Sequence, residues 1–412
     1  MTSIVVRSLA GRDLFTIRME AIDPVSALAR RANFELGARR CKILSPASAE
    51  LTLDTTLEAS GLQDGDVVTV VPLSPPTTVF GSILSGTIAI VKEDGSVVTW
   101  DNANSRANSP EVQTHLANGV KQIAGTSAAG AALKHDGSVI TWGDADFGGD
   151  STAVQAELSG GVKEIVGSTF AFVAVKDDGS VVTWGCFPYE GADPEEENPN
   201  AAIPRAAVQA QISSGVRTVA VTSSAFAAVK QDGSVVTWGG AANGGDSVTV
   251  QAQLASGVRQ VAGALGTFAA VKDDGSVITW GVDLGGNSTA VQSKLACGVQ
   301  EVVSTHYAFA ALKFDGSVVT WGMADFGGCS AAVAAQISSG VVQIAGTKSA
   351  FAAIKDDGSV VTWGTGSVLG INSVRAELAS GVLQIVASWS EFFAVMGDGS
   401  IVTWQGCTDD ED

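Results

Sequence analysis

Cysteine is scarce and scattered. Cys41, Cys186, Cys297, Cys329 and Cys407 are odd in number and never spaced C-x-x-C, which argues against a disulfide framework and against a structural zinc site. Histidine is scarcer still: His115, His135 and His306 are the only three, and none stands with a serine, cysteine or acidic residue in a nucleophile arrangement. There is no glycine-rich loop with a following lysine to cradle phosphates. No apolar run approaches the roughly 20 residues of a membrane span, and no charged lead followed by an apolar core opens the chain, so no signal peptide is expected. A soluble protein of the cytoplasm or nucleus follows as the expectation. Positive charge is also in short supply, with 24 Lys+Arg against 43 Asp+Glu and a net charge of −19. Residues 1–73 are nearly balanced, 8 against 9, while the remainder holds 16 against 34. An acidic body repels a phosphate backbone, so direct nucleic-acid binding is disfavoured and proteins are the expected partners.

What the chain does have is hydrophobic material, 45% of its residues, and 48 glycines at regular intervals, a pattern of turns and not of flexible linker. Its first seventy-three residues read as a compact unit. Ile4-Val5-Val6 precedes a turn at Ala10-Gly11-Arg12-Asp13, and Phe15, Ile17 and Met19 then alternate with polar residues, which predicts a β-hairpin with one buried face. Asp23 and Pro24 mark a helix start, Val25, Leu28, Ala29 and Ala32 share one helical face, and Gly37 supplies a left-handed stop. A short strand at Cys41-Lys42-Ile43-Leu44 and a closing strand from Val67 to Leu73 complete a β-grasp order. The segment resembles ubiquitin along its whole length, carried by Ile4-Val5-Val6, Leu57, Gly61-Leu62 and Val67-Val68-Thr69-Val70-Val71. That resemblance implies recognition through an apolar surface patch, at Leu9, Leu44 and Val70. It departs from conjugated ubiquitins where Leu73 runs into Ser74-Pro75-Pro76 instead of a diglycine end, which implies a fixed docking module and not an attachable modifier.

Beyond a stiff boundary at 74–79, Asp-Gly-Ser, two aliphatic residues, Thr and Trp recur eight times. They end at Trp100, Trp142, Trp184, Trp238, Trp280, Trp321, Trp363 and Trp404, at intervals of 42, 42, 54, 42, 41, 42 and 41 residues. A period near 42 is the length of one propeller blade. The Asp-Gly pairs are two-residue hairpin turns between strands such as Phe226-Ala227-Ala228-Val229-Lys230 and Ser234-Val235-Val236-Thr237-Trp238. A further strand lies upstream, as in Gly257-Val258-Arg259-Gln260-Val261-Ala262. One such meander cannot bury both its faces, so neighbours must stack and closing the array removes its edges. The repeated tryptophans and the phenylalanines six positions before each turn aspartate (Phe172, Phe226, Phe268, Phe309, Phe351, Phe392) read as packing between blades. The lysines two positions before it, from Lys92 to Lys355, read as solvated side chains.

Function is expected where the repeats differ. Phe147-Gly148-Gly149-Asp150, Gly244-Gly245-Asp246 and Phe326-Gly327-Gly328-Cys329 have too few carboxylates for a calcium loop, so neither metal nor cofactor is expected. Residues 186–205 contain the twelve-residue excess of the longest interval and Glu195-Glu196-Glu197, an acidic protrusion and a candidate contact for a basic partner. The array, about residues 77–407, resembles the repeats of the regulator of chromosome condensation family. Units such as Gly161-Val162-Lys163-Glu164-Ile165-Val166 and Val175-Lys176-Asp177-Asp178-Gly179-Ser180-Val181-Val182-Thr183-Trp184-Gly185 carry the likeness. Units this short are also similar to the compact propeller of a secreted β-lactamase inhibitor. The family's frequent Gly-x-x-His-Ser is replaced here by Gly125-Thr126-Ser127-Ala128-Ala129 or Ser223-Ser224-Ala225. Its chromatin-binding members carry basic tails, which this acidic chain lacks.

The expected organisation is mainly β: a ubiquitin-like domain at 1–73, a linker at 74–79, a seven- or eight-bladed propeller at 80–407 and an acidic tail at 408–412. The combination is similar to HECT-and-RCC-type ubiquitin ligases without their ligase domain. No enzyme is expected. The favoured reading is an adaptor whose propeller holds a protein client while the ubiquitin-like domain docks onto ubiquitin or proteasome machinery. The alternatives are a guanine-nucleotide exchange factor for a small GTPase and the substrate-recognition part of a ubiquitin ligase.

Overall fold

A computed structural model describes residues 2–8, 13–23, 25–36, 40–52, 55–73, 78–82, 85–91, 96–100, 110–185, 206–365 and 367–406. Strands β1 (Thr2–Ser8) and β2 (Asp13–Met19), helix α1 (Val25–Leu36), and strands β3 (Arg40–Leu44) and β4 (Val67–Leu73) form the first unit. The sheet order is β2-β1-β4-β3. β1 runs antiparallel to β2 and parallel to β4, and β3 is antiparallel to β4. Alternation along β1 sends Ile4 and Val6 inward, where they meet Val25, Leu28, Ala29 and Ala32 of α1 together with Ile43, Leu57, Leu62, Val68 and Val70. The Asp23 carboxylate accepts from the Glu20 N–H at 2.7 Å and closes the turn before the helix.

The remaining chain builds eight three-stranded antiparallel sheets, at 78–100, 120–143, 162–185, 216–239, 258–281, 299–322, 341–364 and 382–405. The first strand begins at Thr78, two residues inside the expected linker. In the third sheet the strands are Val162–Gly167, Ala171–Lys176 and Val181–Gly185, and the others repeat that plan. The first strand of each sheet lies beside the first strands of its two neighbours, and that of the eighth lies beside that of the first. The array therefore closes around an axis lined by eight inner strands. It is a β-propeller.

Stacking follows from the alternation along each middle strand. Phe172 pairs across the hairpin with Trp184, and their rings stack at 5.2 Å. They pack on Ala129, Ala131 and Leu133 of the second sheet. The opposite face of the third sheet offers Ala171, Val173 and Val175, and on it sits the Phe226–Trp238 stack of the fourth. The aromatic pairs are thus cross-strand stacks within one sheet, seated on the small side chains of the preceding sheet. In the second sheet Gly130 takes the phenylalanine position opposite Trp142, and a Cβ there would lie 2.3 Å from the indole ring.

Directional bonds set the spacing of the sheets. The Trp184 indole donates to the Gly148 carbonyl of the preceding loop at 3.0 Å, and Trp280 and Trp363 do the same to Gly244 and Gly327. Near the axis, the Gln122 side-chain amide donates to the Ile165 carbonyl and accepts from the Ile165 N–H, copying a strand pairing across the gap. Gln260 with Val302 and Gln343 with Ile385 repeat this. The repeated lysines have a structural task that their spacing concealed. Lys134, Lys176, Lys230, Lys272 and Lys313 each donate to a carbonyl nineteen residues earlier, in the segment leading to that sheet.

The turn aspartates are similarly committed. Asp178 Oδ1 accepts from the Ser180 hydroxyl at 2.7 Å and its N–H at 2.8 Å, and Asp136, Asp232, Asp274 and Asp398 have the same partners. The serine hydroxyl, then its N–H, holds each carboxyl below the usual range.

Two outcomes follow. These five carboxyls bind protons less tightly folded than unfolded, so their contribution is complete above the unfolded aspartate value and disappears as pH falls through the lower folded values. The urea midpoint is expected to decline below about pH 4, and Ser180→Ala and Ser234→Ala should flatten that decline. An equally steep decline in those variants would assign it elsewhere. The second concerns Trp321, whose buried Nε1 has no hydrogen-bond partner among the described residues and whose preceding loop is one residue shorter than the loop before Trp184. Trp184→Phe should cost about 1 kcal/mol more than Trp321→Phe in chemical denaturation; equal costs would remove the hydrogen bond from the account.

Candidate functional site

The ring has two unlike ends. At one, the Asp-Gly turns meet the starts of the inner strands. At the other, the inner strands end and the loops after the tryptophans begin. At this loop end the inner strands crowd together: a Cβ on Gly263 would lie 1.9 Å from the Val221 carbonyl oxygen, and one on Gly167 would lie 2.1 Å from that of Gly125. Only glycine tolerates such an approach.

Immediately beyond, backbone hydrogen bonds run from one sheet's turn to the next. Ser127 N–H donates to Thr169 O, Ser223 to Leu265, Leu265 to His306, His306 to Lys348 and Lys348 to Trp389, at 2.8 to 3.1 Å. This belt is common to the sheets, but the side chains it carries are not. One arc bears Ser127, Thr169 and Ser223. The other bears His306, Lys348 and Trp389.

The second arc is a connected aromatic and cationic cluster. The His306 and Trp389 rings meet edge to face at 4.7 Å, and the Lys348 ammonium stands 5.1 Å from the Trp389 ring centre. Tyr307 meets Phe326 edge to face, also at 4.7 Å. Met323, whose N–H donates to the Tyr307 carbonyl, is 40% exposed and extends the surface outward. His306 is buried beneath this layer, while Tyr307, Phe326, Lys348 and Trp389 are half-buried. A cation held over an indole face, with flat aromatic edges around it, suits an anionic or aromatic group on a protein ligand.

The sequence-derived candidates fall elsewhere. Leu44 is half-buried on β3. Val70 is fully buried in the first unit's core, which corrects its assignment to a surface patch. The cause is register: Val70 pairs with the buried Ile43, while Leu44 pairs with Thr69 and Lys42 with Val71, so the face that carries Leu44 is continued on β4 by Thr69 and Val71. Leu9 lies outside the described residues, as do Glu195, Glu196 and Glu197. The loop at Phe147-Gly148-Gly149-Asp150 is organised by local bonds, with the Asp150 carboxylate accepting from the Thr152 N–H and hydroxyl. Among the described residues no group of three or more His, Cys, Asp and Glu side chains could hold a metal. The arc at His306, Lys348 and Trp389 was missed, although composition carried a signal for it. The chain has nine tryptophans, eight occupy the repeated position, and Trp389 is the ninth.

No protein-family model and no curated protein matches the chain. Solved structures do. Prp20p from Saccharomyces cerevisiae, described with its binding properties to Gsp1p and histones, is similar at 14% identity over 82% of this chain and 93% of that one, TM-score 0.46. The CRINKLY WD40 ectodomain of the Arabidopsis thaliana receptor kinase ACR4 is similar at 16% over 71% and 99%, TM-score 0.42. Human WBSCR16 is similar at 15% over 63% and 80%, TM-score 0.42.

If Trp389 serves a surface and not the core, its removal should be mild. Trp363→Ala, which empties a buried stack on Phe351, is expected to cost about 3–5 kcal/mol. Trp389→Ala should cost less than half of that, read as the shift in denaturant midpoint; similar costs would make Trp389 a core residue.

Proposed function

We propose that the chain is a non-catalytic protein-interaction protein, an eight-bladed propeller that receives a protein client on the His306–Lys348–Trp389 arc. One observation carries the reading: the only tryptophan outside the repeat is half-exposed at the axial rim, with a lysine over its face. Tryptophan and flanking charge of this kind anchor protein interfaces. The backbone belt beneath holds them in one geometry, which lowers the ordering cost of binding.

The first unit is proposed to be a β-grasp domain of ubiquitin-like kind, since its mixed sheet order, parallel central pair and packed helix are those the ubiquitin resemblance calls for. Its role is docking to ubiquitin-handling components through the sheet face that carries Leu44. Two binding modules on one chain raise the effective concentration of their two partners. A cytoplasmic or nuclear location fits that role.

Affinity capture from native extract with the intact protein, Trp389→Ala and Leu44→Asp tests both halves. The client should be lost with Trp389→Ala, and ubiquitin-system proteins with Leu44→Asp. Truncation of an anchoring tryptophan is expected to weaken purified client by about thirtyfold, equivalent to about 2 kcal/mol. Identical partner lists for all three proteins would reject the proposal. A small GTPase retained by all three, with faster nucleotide release in the protein's presence, would replace it with nucleotide exchange.

A further inference from the structure

The opposite end of the ring carries a different chemistry. There the first residue of an inner strand donates its N–H to the turn glycine of the preceding sheet: Val162 to Gly137, Val216 to Gly179, Val258 to Gly233 and Val299 to Gly275. The second residue of each inner strand therefore stands at the axial rim of the turn end. In four consecutive sheets it is a cation: Lys121, Lys163, Arg217 and Arg259. In the next three it is Gln300, Val342 and Leu383. Of the 16 Lys and Arg residues beyond residue 73, four are gathered on this half-ring.

Their geometry is serial. Lys121 Nζ donates to the Lys163 carbonyl at 3.1 Å and Lys163 Nζ to the Val216 carbonyl at 3.1 Å. Arg217 donates to the Arg259 carbonyl at 2.8 Å and Arg259 to the Val299 carbonyl at 2.5 Å. Each side chain thus lies forward along the rim, held by a neutral carbonyl. Among the described residues, Lys121, Lys163 and Arg217 form no ion pair. The charges are close enough to interact: burial lowers the proton affinity of Arg259, the nearby Asp273 and Glu301 carboxylates raise it, and the like charges of Arg31 and Arg217 lower it again. Glu164 stands among them, bonded to the Thr218 hydroxyl at 2.9 Å. Burial pushes its carboxyl up, while the Thr218 hydroxyl and the charges of Lys163, Arg217 and Lys121 pull it down, so it faces three of the four cations. Arg31 of α1 lies over the Phe314 ring at 5.4 Å, and Arg259 lies over the same ring at 5.9 Å.

Glu164, Asp273 and Glu301 counter these cations in part, and the half-ring remains a basic patch in a protein of net −19, a surface that attracts an anionic partner. The surroundings select its class. Just outside the rim on the same face lie the Asp-Gly turns, with exposed Asp136, Asp178, Asp232 and Asp274. A nucleic-acid backbone laid across the face would meet those carboxylates. A narrow acidic chain entering along the axis would pass inside them.

We propose that the turn-end rim formed by Lys121, Lys163, Arg217 and Arg259 is a second binding site, taking an acidic peptide segment end-on, separate from the aromatic arc at the loop end. The attraction comes from the basic inner rim, which the peptide reaches along the axis at the greatest distance from the outer carboxylates.

Fluorescence anisotropy of the full chain with a labelled oligoglutamate peptide tests this, with oligoglutamine and a single-stranded oligonucleotide as comparison probes. Oligoglutamate should bind at low salt, oligoglutamine should not, and affinity should fall steeply between about 50 and 200 mM salt. The double variant Lys121→Gln/Arg217→Gln should weaken binding about tenfold. Val342→Lys/Leu383→Lys, which continues the cationic arc and removes none of its bonds, should strengthen it, so a fold defect in the first variant does not decide the matter. Binding unchanged in both variants, or none at low salt, overturns the site. Tighter binding of the oligonucleotide through the same residues overturns the choice of ligand.

Discussion

The seating of a phenylalanine–tryptophan stack on the small side chains of the preceding sheet is the contact on which the rest of this protein depends. Each stack is made by two residues opposed across a hairpin, Phe172 with Trp184 or Phe309 with Trp321, so one sheet assembles it alone. One sheet cannot bury it. Alanines and valines at alternate positions of the same middle strand leave the opposite face low, and the next stack fills that depression. Burial of a large aromatic removes on the order of 2–3 kcal/mol worth of apolar surface from water, and the ring repeats the contact at successive seams. At Gly130 the phenylalanine is missing and the Trp142 ring lies over the glycine, so the position tolerates exchange only where volume is redistributed across the pair.

Packing alone would let sheets slide, and the polar bonds between them prevent that. The Gln122, Gln260 and Gln343 amides imitate strand pairing across the gaps, turn-glycine carbonyls receive the first N–H of the next inner strand, and three indoles reach back to loop carbonyls. These bonds run between backbone groups or from repeated side chains, so they leave the two rims free to vary. Aromatic and cationic groups occupy one rim, and a basic half-ring occupies the other.

The repeated architecture was legible because two short-range rules, alternation along strands and glycine in tight turns, act identically in every unit. The first unit was legible for the same reason, and Val25, Leu28, Ala29 and Ala32 are buried as their helical spacing predicts. Val70 was misplaced because alternation fixes which residues share a face but not which face is inward, and a shift of one residue reverses the assignment. The lysines were read as solvated because their acceptors lie nineteen residues away, a distance no local pattern encodes. His306 and Lys348 are separated by 42 positions, and only the ring makes their turns neighbours.

By itself the sequence determined the strands, the turns, the number of repeats and the acidic balance, because each depends on residues within a few positions of one another. Tertiary structure alone decided what stands at the two rims. A rim is assembled from one residue per sheet, so its chemistry appears only when the chain has closed on itself and residues a full repeat apart come into contact.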